Sequence, residues 1–168
     1  MGELSGERAM KRIRINVGSS QKHWPGFLNI DKYGEADIQA DMRELPFDTS
    51  TVDELHAIHC VEHIPRMDLE SMLHHWNRIL KPGGKLFIEV PCLNKIARMI
   101  LDGERNLRLT VLGIFGDPRD KRPGMLHGWC YTREELKEAL EQCNFVVTET
   151  EPKFHMKQRD MRLEAVKP

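Results

Sequence analysis

The order of secondary-structure patterns constrains the fold of this 168-residue chain more than any other feature. Short apolar runs typical of β-strands occur at five places before residue 91: 13–17, 27–31, 36–41, 52–58 and 85–90. Helical periodicity interrupts them at 67–80 and stops at 81–84, where the sequence reads KPGG. Two further strands, 145–150 and 161–166, close the chain without a helix between them. This order predicts an α/β fold whose sheet is mostly parallel, with an antiparallel strand at the end.

Two helices carry recognisable start signals. Asp68 is placed to cap a helix that buries one apolar face, made of Leu69, Met72, Leu73, Trp76, Ile79 and Leu80. Thr132 stands three residues before Glu135, the spacing of a capping box in which each side chain bonds the other residue's backbone N–H. We therefore expect side-chain caps at both helix starts.

Small and acidic residues follow the first three predicted strands. Gly18, Ser19 and Ser20 end the first strand and let the backbone approach a ligand closely. Asp31 ends the second strand, where an acid can accept hydrogen bonds from ribose hydroxyls. Asp41 ends the third, where a carboxylate can accept from the amine of an adenine. Because ligands bind at the carboxyl ends of parallel strands, these positions predict a nucleoside site.

Together these residues resemble a known family. The run INVGSS…WPGFLNID…ADMRELPF…VDELHAIHCVEHI…LKPGGKLFIEVP resembles class I S-adenosylmethionine-dependent methyltransferases, and more narrowly a small bacterial and phage subgroup with a short loop after the first strand. The resemblance covers about residues 13–91, and the segment HGWCYTREELKEALEQCNF is similar to the family's last helix and strand. It implies a Rossmann-like methyltransferase sheet and S-adenosylmethionine as cofactor.

The resemblance also implies roles for particular residues. Gly18, Ser19 and Ser20 would line the methionine part of the cofactor, Asp31 would hold the ribose, and Asp41 with Met42 the adenine. His59 and Cys60 would flank the methionine and the departing methyl group. Glu62 and His63 match the family's acidic–His pair at the mouth of the acceptor site.

Two departures from the family pattern concern the first loop. Ser19 and Ser20 stand where the family usually has a G-x-G-x-G loop, and Asp31 follows Gly18 by only thirteen residues. That spacing is too short for the usual crossover helix, so we expect the first strand to pass to the second without one. His23 and Trp24 are candidates to replace the lost loop contacts.

The segment 91–131 predicts an insertion within a single domain that spans 1–168. It holds a helical pattern at 93–101 followed by a Gly/Pro-punctuated stretch, and a connection of this length is typical of a lid. Arg119, Lys121 and Arg122 within it could attract an anionic acceptor.

Methyl transfer requires a base only if the acceptor is a hydroxyl or a protonated amine, and histidine suits that task. His127, in the insertion, is the first candidate, His63 the second, and Glu62 the group that orients the base. Because His59, Cys60 and His63 lack a second ligand pair at a familiar spacing, we expect no metal.

The sequence predicts S-adenosylmethionine-dependent methyl transfer to a small-molecule or sugar (glycan-type) acceptor. The alternative is a non-catalytic module that binds S-adenosylmethionine or S-adenosylhomocysteine, or a protein, on a methyltransferase fold. A nicotinamide-dependent oxidoreductase is disfavoured because phosphate-binding glycines at a helix start are missing.

Composition limits the remaining classes. A formal net charge of −1 does not favour nucleic acid as a partner, and no apolar run approaches the length of a membrane span. The four cysteines, Cys60, Cys92, Cys130 and Cys143, form no CxxC pair and are expected as free thiols. We expect a cytoplasmic protein, with self-association left open.

Overall fold

The computed structural model describes residues 12–168, and these form a seven-stranded sheet with helices in the connections. The strands are β1 (Arg14–Val17), β2 (Leu28–Asp31), β3 (Ile38–Gln39), β4 (Val52–Ile58), β5 (Leu80–Pro91), β6 (Val146–Thr150) and β7 (Asp160–Val166). The helices are α1 (Leu69–Ile79), α2 (Leu93–Leu101), α3 (Val111–Phe115) and α4 (Arg133–Gln142). The 3₁₀ turns Val61–His63 and Arg66–Asp68 lie between β4 and α1.

The strand order is β3-β2-β1-β4-β5-β7-β6. As in doubly wound sheets, the order in which the chain adds strands reverses between β1 and β4. Neighbours from β3 to β5 are parallel, and β7 is antiparallel to both β5 and β6. The predicted fold class, a Rossmann-like methyltransferase sheet that ends in an antiparallel strand, is confirmed.

The connection from β1 to β2 contains no helix in the part of the chain that the structure describes, as its short spacing predicts. Gly18 and Ser20 take left-handed backbone angles, with φ of +65° and +48°, and turn the chain sharply. Two buried side chains hold the link, because Asn16 Nδ2 donates to Asn29 Oδ1 at 3.1 Å and to the backbone carbonyl of Lys22 at 3.2 Å. Hydrogen bonds from asparagine thus replace the packing that a helix would provide.

Helix α1 buries the predicted face. Leu69, Met72, Leu73, Trp76 and Ile79 are fully buried, and Trp76 Nε1 donates to the Met42 carbonyl at 2.8 Å. Burying each of these large side chains stabilises the fold by about 1.5–3 kcal/mol. Its buried face therefore fixes the helix to the core, and Trp76 links it to the segment that follows β3.

Two predictions about helix caps are met only in part. Asp68 occupies the N-cap position of α1, but its side chain makes no capping hydrogen bond, since its carboxylate accepts from Arg43 Nη1 at 2.7 Å. At α4 the capping box is half formed, because Thr132 Oγ1 accepts from the Glu135 N–H at 3.1 Å while the Glu135 carboxylate bonds Arg66 and Trp129. In both cases a cation or an indole N–H from elsewhere in the fold competes for the acid.

Strand β3 is shorter than the predicted 36–41. Asp37 Oδ2 accepts from the Asn29 backbone N–H at 2.8 Å, and Asp41 Oδ1 accepts from the Arg43 backbone N–H at 3.0 Å. Such local side-chain bonds compete with ladder pairing and limit β3 to two residues.

Candidate functional site

A cleft of about 910 Å³ opens at the carboxyl ends of β1 to β4, where the strand order reverses. This is the place where doubly wound sheets bind ligands. We call it the strand-end cleft. Seven of the eight residues predicted to hold a cofactor line it: Gly18, Ser20, Asp31, Asp41, Met42, His59 and Cys60. The eighth, Ser19, is buried, with a side chain only 4% exposed, and is not one of the lining residues.

Asp31 organises the floor of the strand-end cleft. Its Oδ2 accepts from the Ser20 N–H at 2.8 Å, and its Oδ1 accepts from the N–H groups of Tyr33 at 2.8 Å and Gly34 at 2.7 Å. Burial raises the pKa of Asp31, but these backbone hydrogen bonds outweigh burial and hold the pKa below its usual range. A carboxylate offers about four acceptor positions, so one remains for a ligand hydroxyl.

Asp41 is more heavily occupied by protein groups. Its two oxygens accept from Arg43 Nε and Nη2 at 3.0 and 2.7 Å, and from Lys32 Nζ at 3.0 Å. The hydrogen bonds from Arg43 are the largest influence on the pKa of Asp41 and hold it well below its usual range. An adenine amine would have to share or displace one of these donors.

The backbone of Gly18 lies close against the side chain of Cys60. A Cβ atom placed on Gly18 would lie 2.4 Å from Cys60 Cβ, and its φ of +65° is unfavourable for other residues. Cys60 is itself buried at the end of β4. The two residues close the bottom of the cleft between β1 and β4.

His59 bridges two buried carboxylates. Its Nε2 lies 3.0 Å from Asp160 Oδ2 and its Nδ1 lies 3.1 Å from Glu62 Oε1. Burial lowers the pKa of His59, but Asp160 and Glu62 together outweigh burial and raise the pKa to about 9. His59 is therefore an imidazolium at neutral pH.

A second cavity, of about 260 Å³, adjoins the strand-end cleft and shares His59, His63 and Met125 with it. We call it the small pocket. It brings together the three residues predicted to be catalytic, Glu62, His63 and His127. The His63 and His127 rings lie 4.9 Å apart between centroids and nearly perpendicular to each other.

The Nδ1 atoms of both histidines are engaged by backbone carbonyls. His63 Nδ1 lies 3.2 Å from the Leu126 oxygen, and His127 Nδ1 lies 3.2 Å from the Gly113 oxygen. Because a carbonyl only accepts, each Nδ1 carries a proton, and in the neutral form of either ring the lone pair lies on Nε2. Burial is the main reason that the pKa of His127 is lowered.

The insertion 91–131 reaches both cavities. Residues 122–125 line the strand-end cleft, and His127 lines the small pocket. The N–H groups of Gly128 and Trp129 donate to the Glu62 carbonyl at 2.7 and 3.1 Å and attach the end of the insertion to the site. The contribution of the insertion to the strand-end cleft was not predicted from the sequence.

Some of the loop residues expected near the site lie there, and others do not. His23 lines the strand-end cleft as expected, whereas Trp24 stacks on Phe154 with ring centroids 4.9 Å apart and lies away from the cleft. Arg119 and Arg122 pair with Asp117 and Asp120 at 2.6 Å, so much of their charge is already compensated.

The sequence analysis did not assign several polar residues to the site: Arg108, Asp117, Asp120 and Arg159, which line the small pocket, and Asp160, which binds His59. A signal for Asp160 was present. Because β7 is antiparallel, its first residue lies beside Pro91 at the carboxyl end of β5. The start of a predicted antiparallel strand should therefore have been examined together with the ends of the parallel strands.

Comparisons with known proteins identify the family to which this chain belongs. The sequence model of a methyltransferase domain family matches residues 11–150. The chain belongs to this family, and it carries the Rossmann-like fold of the S-adenosylmethionine-dependent methyltransferases. Their cofactor, S-adenosylmethionine, fits the strand-end cleft in size and chemistry, because the lining includes a carboxylate acceptor, Asp31, and the apolar Met42.

Solved structures share the fold at low sequence identity. A SAM-dependent methyltransferase of Methanosarcina mazei aligns with a TM-score of 0.63 and 17% identity, over 94% of this chain and 93% of that one. A SAM-dependent methyltransferase of Archaeoglobus fulgidus aligns with a TM-score of 0.66 and 15% identity, over 93% and 86% of the two chains.

A curated relative matches a shorter stretch. A sterol 4-C-methyltransferase of Caenorhabditis elegans is 37% identical over 51 residues, which are 30% of this chain but only 15% of that enzyme. The similarity therefore concerns one segment of that protein. Among residues 12–168, no helix combines the length and apolar character that crossing a membrane requires.

Proposed function

We propose that this protein transfers the methyl group of S-adenosylmethionine to a small polar acceptor, such as a sugar or another hydroxylated molecule, bound in the small pocket. The observation that carries the proposal is the junction of the two cavities at His59, His63 and Met125. The cofactor supplies an electrophilic methyl group. The residues at the junction would align the acceptor with it, and alignment is the main contribution of a protein to such a displacement.

The lining of the small pocket favours a polar acceptor. Arg108, Asp117, Asp120 and Arg159 surround the two histidines and Glu62, whereas Leu112 and Met125 are its main apolar members. At about 260 Å³ it suits one sugar-sized ring rather than a fused sterol ring system. The short sterol methyltransferase match therefore supports the reaction class more than the acceptor.

His127 is the proposed base. Its Nδ1 is bound to the Gly113 carbonyl, which leaves Nε2 as the nitrogen that can accept a proton from an acceptor hydroxyl. His63 has the same arrangement on the Leu126 carbonyl and is the second candidate. The buried Glu62 carboxylate would orient the base and the acceptor.

The insertion 91–131 is proposed to cover both cavities. Gly124 lies against the Tyr33 ring, since a Cβ on Gly124 would lie 2.9 Å from Tyr33 Cε2. This contact joins the insertion to the loop after β2 across the strand-end cleft. Closure at this point would exclude water from the methyl group.

Substitution of His127 by Ala tests the assignment. Turnover on a hydroxylated acceptor, followed by mass spectrometry of the methylated product, should fall by ~10²–10⁴-fold. The affinity for S-adenosylhomocysteine should change little, because His127 lies outside the lining of the strand-end cleft. His74→Ala, which removes an exposed histidine from α1, is the matched control. Unchanged turnover in His127→Ala would shift the role to His63.

One observation favours the alternative of a non-catalytic binding module. The Asp41 carboxylate is already filled by Arg43 and Lys32, which reduces what it can offer to a cofactor. A protein that binds S-adenosylhomocysteine but methylates none of a broad panel of sugars, phenols and amines would support this alternative.

A further inference from the structure

The Glu62 carboxylate has an unusual environment. The residue is only 1% exposed, and neither carboxylate oxygen has a hydrogen-bond donor among the described residues. The nearest charged atom, His59 Nδ1, lies 3.1 Å from Oε1 but out of line for a hydrogen bond. The His59 imidazolium offsets part of the cost of burying this charge, but neither oxygen has the hydrogen bond that a buried carboxylate normally makes. Its position on the wall of the small pocket indicates that a cation or a donor can come from the pocket.

The side chains of His63 and His127 lie close to the Glu62 carboxylate. One ligand atom each from Glu62, His63 and His127 lie within 4.8 Å of one another. The carbonyls of Leu126 and Gly113 hold the two histidines through Nδ1, the arrangement that fixes the tautomer of metal-binding imidazoles. Both Nε2 lone pairs are therefore available as ligands.

We propose that Glu62, His63 and His127 bind a divalent transition-metal ion in the small pocket. Two imidazole nitrogens and one carboxylate oxygen form the donor set of catalytic zinc sites, which keep further positions open for water or substrate. Methyl transfer requires no redox change, so Zn²⁺ is the ion that this set and this reaction favour. Spacing along the sequence does not reveal this site, because His127 lies 64 residues beyond His63 and reaches it only through the insertion.

A neighbouring cluster, His59, His155 and Asp160, is a weaker candidate. The Asp160 carboxylate already accepts from the Met156 N–H at 3.0 Å and from Arg159 Nε, and His59 Nε2 lies against it at 3.0 Å. A cation there would have to displace existing hydrogen bonds, whereas the Glu62 oxygens make none among the described residues.

The catalytic use of the cation rests on the proposed methyl transfer, although its binding does not. An acceptor hydroxyl on an open position of the ion would have its pKa lowered and would lose its proton more readily. The proposed base and the proposed ligand use the same Nε2 of His127. The metal content of the protein therefore decides which of the two roles His127 has.

Titration of metal-free protein with Zn²⁺, followed by calorimetry, tests the proposal without an activity assay. Wild type should bind one Zn²⁺ per chain at this site, and Glu62→Gln and His63→Gln should each weaken that binding by about 100-fold or more. His74→Gln and His155→Gln are the controls and should retain it. Circular dichroism and S-adenosylhomocysteine binding establish that each variant is folded.

The outcomes separate the two proposals. Zn²⁺ binding that is equal in wild type and in both ligand variants would overturn the metal site, and so would loss of binding only in His155→Gln. Methyl transfer that persists in fully metal-free protein, with His127→Ala inactive, would support the base and reject the catalytic use of the cation. Metal binding without methylation of any acceptor would retain the site and reject the proposed reaction.

Discussion

Removing the Asp31 carboxylate should weaken cofactor binding by a measurable and specific amount. Asp31 holds the backbone of Ser20, Tyr33 and Gly34 through three hydrogen bonds of 2.7–2.8 Å, and it keeps an acceptor position for a ribose hydroxyl. A hydrogen bond to a charged group contributes about 1.5–3 kcal/mol. Loss of the ligand bond alone therefore predicts an affinity for S-adenosylhomocysteine that is about 10- to 150-fold lower in Asp31→Ala.

The backbone contacts of Asp31 require a control, since their loss also loosens the loops. Asp37→Ala removes a carboxylate that likewise binds backbone and amide groups, at Asn29, but does not line the strand-end cleft. Isothermal titration at a temperature where both variants are folded, checked by thermal unfolding, compares them. Equal affinity in wild type and Asp31→Ala, or an equal loss in Asp37→Ala, would refute the assignment of Asp31 to the ribose.

Three further predictions test the architecture around the site. Gly18→Ala should destabilise the protein by about 1–3 kcal/mol more than Gly83→Ala, because both glycines have positive φ but only Gly18 abuts Cys60. Denaturant unfolding measures both losses, and equal losses would show that this packing is unimportant. Thr132→Ala should cost about 1 kcal/mol through loss of the α4 cap, and a variant as stable as wild type in the same assay would contradict the cap. The folded-state pKa of Asp31 is depressed, so its contribution to stability is present above its unfolded pKa, near 3.8, and is lost as pH falls through the lower folded value. The free energy of unfolding should therefore fall less between pH 5 and pH 3, roughly the range around that pKa, in Asp31→Asn than in wild type.

Periodicity predicted those parts of the fold that burial alone determines. The α1 face from Leu69 to Ile79 and the strand β4 (Val52–Ile58) agree with the structure because apolar spacing reports directly which side faces the core. The missing helix between β1 and β2 followed from chain length. These inferences need no knowledge of which residues meet across the fold.

Contacts between distant residues were harder to predict. The Asp68 carboxylate bonds Arg43 and not the first turn of α1. The Glu135 carboxylate bonds Arg66 and Trp129 and does not complete the capping box. Each acid satisfies a local rule in the sequence but pairs with an arginine after folding, in a charge-assisted hydrogen bond. Local sequence patterns show which groups can form hydrogen bonds, but the partners that they bond are determined by the tertiary fold.

The candidate site shows the same division. Asp31, Asp41 and His59 line one cleft because parallel strands bring their carboxyl ends to one edge of the sheet. The meeting of His127 with Glu62 depends instead on the hydrogen bonds from Gly128 and Trp129 to the Glu62 carbonyl, 66 and 67 residues away in sequence. No periodic signal encodes such a contact.

The terminal strand β7 has a role in the site beyond completing the sheet. His59 adopts a left-handed backbone conformation, with φ of +52°, and this costs about 1–2 kcal/mol in a residue with a Cβ. Its N–H donates to the Glu89 carbonyl at 2.8 Å, and its ring is held between Glu62 and Asp160. Asp160 can hold the ring only because β7 runs antiparallel and begins at the carboxyl edge of β5. The antiparallel terminal strand thus supplies the carboxylate that fixes His59 in a strained position, where it lines both cavities at once.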